Sequence, residues 1–156
     1  EVEVAFILAD DLPGAGCTED DVLAATAAFA PSIEIIDTRI KDWKISLCDT
    51  IADNASSGGF VLGRERVSPK DIDVNAIEAV LTRDGEVVAE GRSDAVLGSP
   101  VTAVAWLARK VDSFGVRLKA GDIILPGSCT RAVDARPGES FVADFTGLGS
   151  VRVSFE

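Results

Sequence analysis

The chain has 156 residues, 47% hydrophobic and 26% charged, the mix expected of one globular domain with a real core. Its 15 basic residues against 26 acidic ones leave a formal charge of −11, which argues against nucleic acid or an anionic membrane surface as a partner. Histidine is absent, which excludes histidine triads, histidine-ligated zinc and histidine general bases from this chain.

The first element is a strand over residues 1–8, EVEVAFIL. Side chains alternate along a strand, so Glu1 and Glu3 share a face with Ala5 and Ile7, while Val2, Val4, Phe6 and Leu8 take the other. A turn-rich loop, ADDLPGAG, leads to Thr18, whose hydroxyl is a helix N-cap followed by Glu19, Asp20 and Asp21. The pattern predicts a helix to about Phe29, with Val22, Leu23, Thr26, Ala27 and Ala30 near one face and Pro31 ending it. A second strand is expected over 32–36, with Glu34 between Ile33 and Ile35. Residues 38–53 are ambiguous, with a short helix in part of them.

Phe60–Leu62 reads as a strand, and Asn75–Thr82 and Glu86–Gly91 form a hairpin around Arg83, Asp84 and Gly85. Ser99 and Pro100 open a helix carrying Val101, Val104, Ala105, Leu107, Ala108 and Val111 at helical spacing. The turn at Lys119–Asp122 precedes the apolar strand IILP, and two strands over about 140–146 and 149–155 close the chain. The expected class is α+β: one domain over 1–156, two helices beside a mixed sheet. No run approaches the roughly 18 apolar residues that span a bilayer, and no signal peptide is visible. Cys17, Cys48 and Cys129 are odd in number, widely spaced and without a CxxC, so they read as free thiols in a reducing cytoplasm. Methionine is also absent, and Glu1 already lies in a strand, so we expect that an N-terminal segment is missing from this domain.

Four groups of residues carry candidate chemistry. Glu1, Glu3 and Glu34 are carboxylates on apolar strands, and a hard divalent cation would compensate their burial. Spacing alone leaves open that Glu1 is a frayed end and Glu34 a solvated side chain. The charged stretch Asp37–Lys44 around Trp43 offers Lys44 to a carboxylate or to substrate charge, or is a solvated turn. In Asp53–Gly59, Asn54, Ser56 and Ser57 beside paired glycines would bring donors to a carboxylate, or form an ordinary loop. After IILP, Arg131 in Gly127–Arg131 would clamp a carboxylate, whereas Cys129 lacks a histidine partner to make it a nucleophile.

Together the segments EVEVAF, IEIIDTRIKDWK, DTIADNASSGGFVLG, GSPVTAVAWLA, AGDIILPG and GLGSVRVSF resemble the fumarylacetoacetate hydrolase family, in its hydratase and decarboxylase branch. They cover the chain nearly end to end and follow the family's order. The resemblance implies a mixed β-sandwich roll of the C-terminal domain type. It also implies Mg2+ or Mn2+ held by Glu1, Glu3 and Glu34, with Lys44 near the metal shell. Catalytic roles then fall to Lys44 and Ser56, and substrate binding to Asn54, Ser56, Ser57 and Arg131. The implied reaction adds water to 2-hydroxypenta-2,4-dienoate, giving 4-hydroxy-2-oxopentanoate in meta-cleavage degradation of aromatic compounds. The alternatives are decarboxylation of 2-oxo-3-hexenedioate and a non-catalytic metal-binding subunit, with an acylpyruvate hydrolase ranked lower. A cytoplasmic homo-oligomer, associated with a pathway aldolase or decarboxylase, is the implied assembly. Hydratases of this type carry their proton-transfer lysine and acid before the first glutamate strand, so 1–156 alone is expected to bind metal but turn over poorly.

Overall fold

A computed structural model describes the whole chain, Glu1–Glu156. In chain order its main elements are β1 (Val2–Leu8), α1 (Glu19–Ala25), β2 (Thr26–Ile36), α2 (Leu47–Ala52) and β3 (Ser57–Leu62). Then come β4 (Glu78–Arg83), β5 (Glu86–Arg92), α3 (Pro100–Asp112), β6 (Ile123–Ile124), β7 (Ser140–Phe145) and β8 (Gly149–Ser154). The strands form two four-stranded sheets, ordered β3-β2-β1-β6 and β5-β4-β7-β8. The α+β class holds, and β2 packs against β7 and β8 so that the sheets form a sandwich. The single mixed sheet is corrected: there are two sheets, and every strand pairing in them is antiparallel.

The apolar face of β1 (Val2, Val4, Phe6, Leu8) meets Phe29 and Ile33 of β2 and Leu81, Phe141, Ala143 and Val151 of the second sheet in one core. At about 25 cal/mol per Å² of apolar surface, this burial is the main force joining the sheets. The glutamate face of β1 is therefore the face turned away from that core.

The first helix is shorter than its composition predicts. Thr18 and Asp21 form the expected capping box, but α1 ends at Ala25, and Thr26–Ile36 is one strand through Pro31. Alanine favours helix, yet pairing with β1 buries Phe29 edge-on against Phe6, with ring centroids 4.8 Å apart. Long-range pairing outweighs local preference here. Thr26 closes the helix by donating its hydroxyl to the Val22 carbonyl at 2.7 Å. Proline is tolerated in this inner strand because Pro31 pairs with Val4 just past the end of β3, where only its carbonyl is used, accepting from Gly63 N at 2.8 Å.

Elsewhere the reading transfers closely. The hairpin turns at Asp84 and Gly85, both at positive φ (51° and 90°), although β4 begins only at Glu78. Ser99 caps α3 ahead of Pro100, and the helix buries Val101, Val104, Ala105 and Ala108. No helix is long and apolar enough to cross a membrane.

Candidate metal centre and its flanking loop

Register brings the three glutamates together. Val2 pairs with Ile33 and Glu3 with Ser32, so Glu1 stands opposite Glu34, and directly paired residues point to one face. Glu34 N donates to the Glu1 carbonyl at 2.9 Å, which fixes that register at the strand end. Carboxylate oxygens of Glu1, Glu3 and Glu34 all lie within 4.8 Å of one another. Glu3 is buried, while Glu1 and Glu34 are half-buried.

The segment after β6 runs on beside β1 and supplies one oriented donor. Gly127 N donates to Glu3 Oε2 at 2.7 Å, and Cys129 N donates to the Val2 carbonyl at 2.8 Å. Gly127 has φ of 137°, a conformation side-chain-bearing residues rarely adopt, and Val96 leaves little room for a Cβ. One amide does not balance the site. Burial first, then repulsion from Glu34 and Glu1, pushes the Glu3 carboxyl up to about 8 against the opposing pull of Gly127. Glu1 is also raised, mainly by burial. None of the four ion pairs in the molecule reaches the cluster. Three converging oxygen donors without a cationic side chain suit a hard divalent ion, which would leave half an octahedral shell for water or ligand. The residues present thus fit such a group.

A cleft of about 670 Å³ has Glu1 and Glu34, but not Glu3, among its lining residues, together with Leu81, Val133, Phe141 and Phe155. Arg136 and Asp134 line it too and are shared with a second, shallower cavity of about 400 Å³ that holds Arg83 and Arg131.

The other residues singled out from sequence are dispersed. Lys44 is exposed, in the turn after Trp43, and joins no ion pair. Arg131 turns to the second cavity, where its Nη2 donates to the Val88 carbonyl at 2.8 Å. Ser57 pairs with Ile36, which places it on the face of Glu34. Asn54 is exposed, and Ser56 is buried with its hydroxyl turned to the Asp53 carboxylate.

Arg39 and Asp53 lie in two of the segments singled out from sequence, but their pairing was missed. Asp53 is buried and accepts from Thr38 Oγ1 at 2.7 Å and Arg39 Nε at 2.6 Å. Hydrogen bonds from Thr38 first, then Arg39 and Ser56, hold its carboxyl below the usual carboxylate range against the cost of burial. A lone aspartate near small residues, 14 positions from an arginine, leaves little signal in sequence.

Fold and site together describe an antiparallel sandwich with a cluster of three carboxylates at one strand end, beside a largely apolar cleft. The chain belongs to the fumarylacetoacetate hydrolase family: the family's C-terminal domain matches residues 1–156. It is 44% identical over 155 residues to a 2-hydroxyhexa-2,4-dienoate hydratase of Comamonas testosteroni, covering 99% of this chain and 59% of the relative. It is 43% identical over 156 residues to a 2-keto-4-pentenoate hydratase of Paraburkholderia xenovorans (strain LB400), covering 100% of this chain and 58% of the relative. Among solved structures, 4-oxalocrotonate decarboxylase from Pseudomonas putida G7, complexed with magnesium and adipate, superposes with a TM-score of 0.96 at 36% identity. That match covers 100% of this chain and 59% of the decarboxylase. The chain thus spans somewhat under two thirds of the length of these relatives.

Proposed function

We propose that the chain is the cation-holding core of a hydratase that adds water to a short 2-hydroxy-2,4-dienoic acid, 2-hydroxypenta-2,4-dienoate above all, to give a 4-hydroxy-2-oxo acid. The observation that carries this reading is the three-glutamate cluster, set in a chain 43–44% identical along its length to two such hydratases. The ion would be Mg2+ or Mn2+, held by Glu1, Glu3 and Glu34, and the magnesium-bound decarboxylase supports magnesium. When bound, it supplies Lewis acidity for the negative charge that develops on the 2-oxygen of the acid.

The chain's own residues prepare that site. Gly127 orients Glu3, and strand pairing fixes Glu1 against Glu34. The apolar wall of Leu81, Phe141 and Phe155 receives the hydrocarbon end of the acid and limits water around it. Ser57, on the face of Glu34, brings a donor toward the carboxylate end. The same reading carries a cytoplasmic homo-oligomer, in keeping with three free cysteines and exposed Trp43, Leu47 and Ile51.

Decarboxylation of 2-oxo-3-hexenedioate is the second reading. It is favoured by Arg136 in the cleft, a counter-charge for a distal carboxylate, and by the likeness to the decarboxylase. Product identity separates the two. The protein is incubated with Mg2+ and each acid, and products are followed by NMR and carbon dioxide release. Slow hydration of the monocarboxylic dienoate is expected, in line with the poor turnover expected of residues 1–156 alone, and carbon dioxide from the dicarboxylate without hydration of the dienoate would overturn it.

A further inference from the structure

We propose that Arg39, locked to Asp53, is a positioning residue that holds the Asn54–Ser57 loop in place for binding the carboxylate of a 2-oxo acid; this rests on the function proposed above. One guanidinium ties both flanks of the loop to the exit of the strand that carries Glu34. Nη1 donates to the Ser57 carbonyl at 2.8 Å and to the Asp37 carbonyl at 3.0 Å, and Nη2 donates to the Asp53 carbonyl. Nε and the Arg39 backbone N–H both donate to the Asp53 carboxylate, at 2.6 Å and 3.2 Å. Loop and strand also meet directly, as Asp37 N donates to the Ser56 carbonyl at 2.8 Å.

The loop needs such a holder. Asn54, Ala55 and Ser56 stand in succession at φ of 55°, 54° and 61°. Left-handed backbone is strained for a residue with a Cβ, so this conformation persists only where its surroundings fix it. Gly58 then packs the loop onto β2: a Cβ there would lie 3.1 Å from Asp37 Cβ and 3.2 Å from the Ile35 carbonyl. The Arg39–Asp53 pair is neutral overall and sits beside the loop rather than in the glutamate cluster. It therefore supplies geometry, not charge. Lysine would keep the charge but not the fork that reaches three carbonyls.

The test uses the intact protein with Arg39→Lys and Asp53→Asn, singly and together. Metal affinity is read by titrating Mg2+ alone, and 2-oxo acid binding by titrating pyruvate into the Mg2+-loaded protein. We expect Arg39→Lys to weaken pyruvate binding about tenfold or more, with Mg2+ affinity within about twofold of wild type. Amide exchange should quicken at residues 54–57, and the double variant should be no weaker than the worse single one. If the protein turns over a dienoate, KM should rise by the same factor with kcat little changed. Unchanged pyruvate binding overturns the inference, as does a parallel loss of Mg2+ affinity, which would mark a merely structural role. Should Arg39→Lys fail to fold, Thr38→Val removes one hydrogen bond to Asp53 and is read the same way. Absence of dienoate turnover in the wild type would sink the proposed reaction while leaving the pyruvate measurement to decide on Arg39.

Discussion

Two acidic sites flank the end of β2, and burial has opposite consequences in them. In the glutamate cluster, Glu3 is buried among like charges with one amide for compensation, and its carboxyl is driven up to about 8. In the clamp, Asp53 is also screened from solvent, though nearer the surface, and it is surrounded by Thr38, Arg39 and Ser56, so its carboxyl is held below the usual range. The clamp is complete within the chain. The cluster is not, and what it lacks is a cationic side chain. This difference separates a structural carboxylate from one prepared for a ligand more clearly than burial or acidity alone.

The largest expected effect breaks the cluster. Glu3→Gln or Glu34→Gln should lower Mg2+ affinity by more than the roughly 10–100-fold typical of losing an outer-shell partner, whereas Asp53→Asn should leave it nearly unchanged. Calorimetric titration checks this, and wild-type affinity in both glutamine variants would refute the cation assignment.

Next comes the pH dependence of the metal-free protein. A carboxyl raised from 4.5 to about 8 binds a proton in the folded state that the unfolded state has released. Glu3 therefore lowers stability progressively as pH climbs from about 4.5 to 8. Asp53 acts in the reverse sense: its contribution is present above the unfolded value of 3.8 and is lost as pH falls through its lower folded value. At pH 9, Glu3→Gln should stabilise the metal-free fold by roughly 2–4 kcal/mol, while Asp53→Asn should destabilise it. Urea melts across pH read both signs, and destabilisation by Glu3→Gln at pH 9 would mean that Glu3 has a cationic partner after all.

These two sites also differ in how far sequence reveals them. Alternation alone put Glu1 and Glu3 on one face of β1. Glu34 joined them through family resemblance, and the physical reason is the Glu1–Glu34 register, which no local pattern encodes. The same non-local pairing explains the misread helix: the alanine-rich run at 24–30 favours helix, but Phe29 finds Phe6. The clamp was illegible because it depends on left-handed turns at residues that are not glycine. Arg131 was read toward substrate from its place after a strand, and the structure turns it to the Val88 carbonyl instead.

A smaller effect sharpens the contrast at the backbone. Gly127→Ala should strain the loop that orients Glu3, because of its positive φ and the nearness of Val96. It should weaken Mg2+ binding less than loss of a ligand does. Gly58→Ala should leave Mg2+ binding alone and act on the clamped loop, where a Cβ would crowd Asp37 and Ile35. Equal Mg2+ affinities for the two variants would show that Gly127 does not orient the cluster.

The smallest expected effect compares the two regions through their thiols. Cys129 follows the loop that orients Glu3; it is buried, and burial with the nearby Glu3 charge pushes its thiol up to about 12. Cys48 lies in α2, on the clamp side, and is exposed. Since the thiolate is the reactive form, an alkylating reagent at pH 8 should label Cys48 readily and spare Cys129 until the protein unfolds. Protection of Cys129 should then fade along the same urea curve as the global transition, because its seat against Val2 belongs to the core sheet. Labelling of Cys129 at the rate of Cys48 in the folded protein would mean that the 127–129 segment opens independently. Glu3 would then lose its one oriented donor, and the contrast between an open-valence cluster and a closed clamp would have to be drawn from the strand register alone.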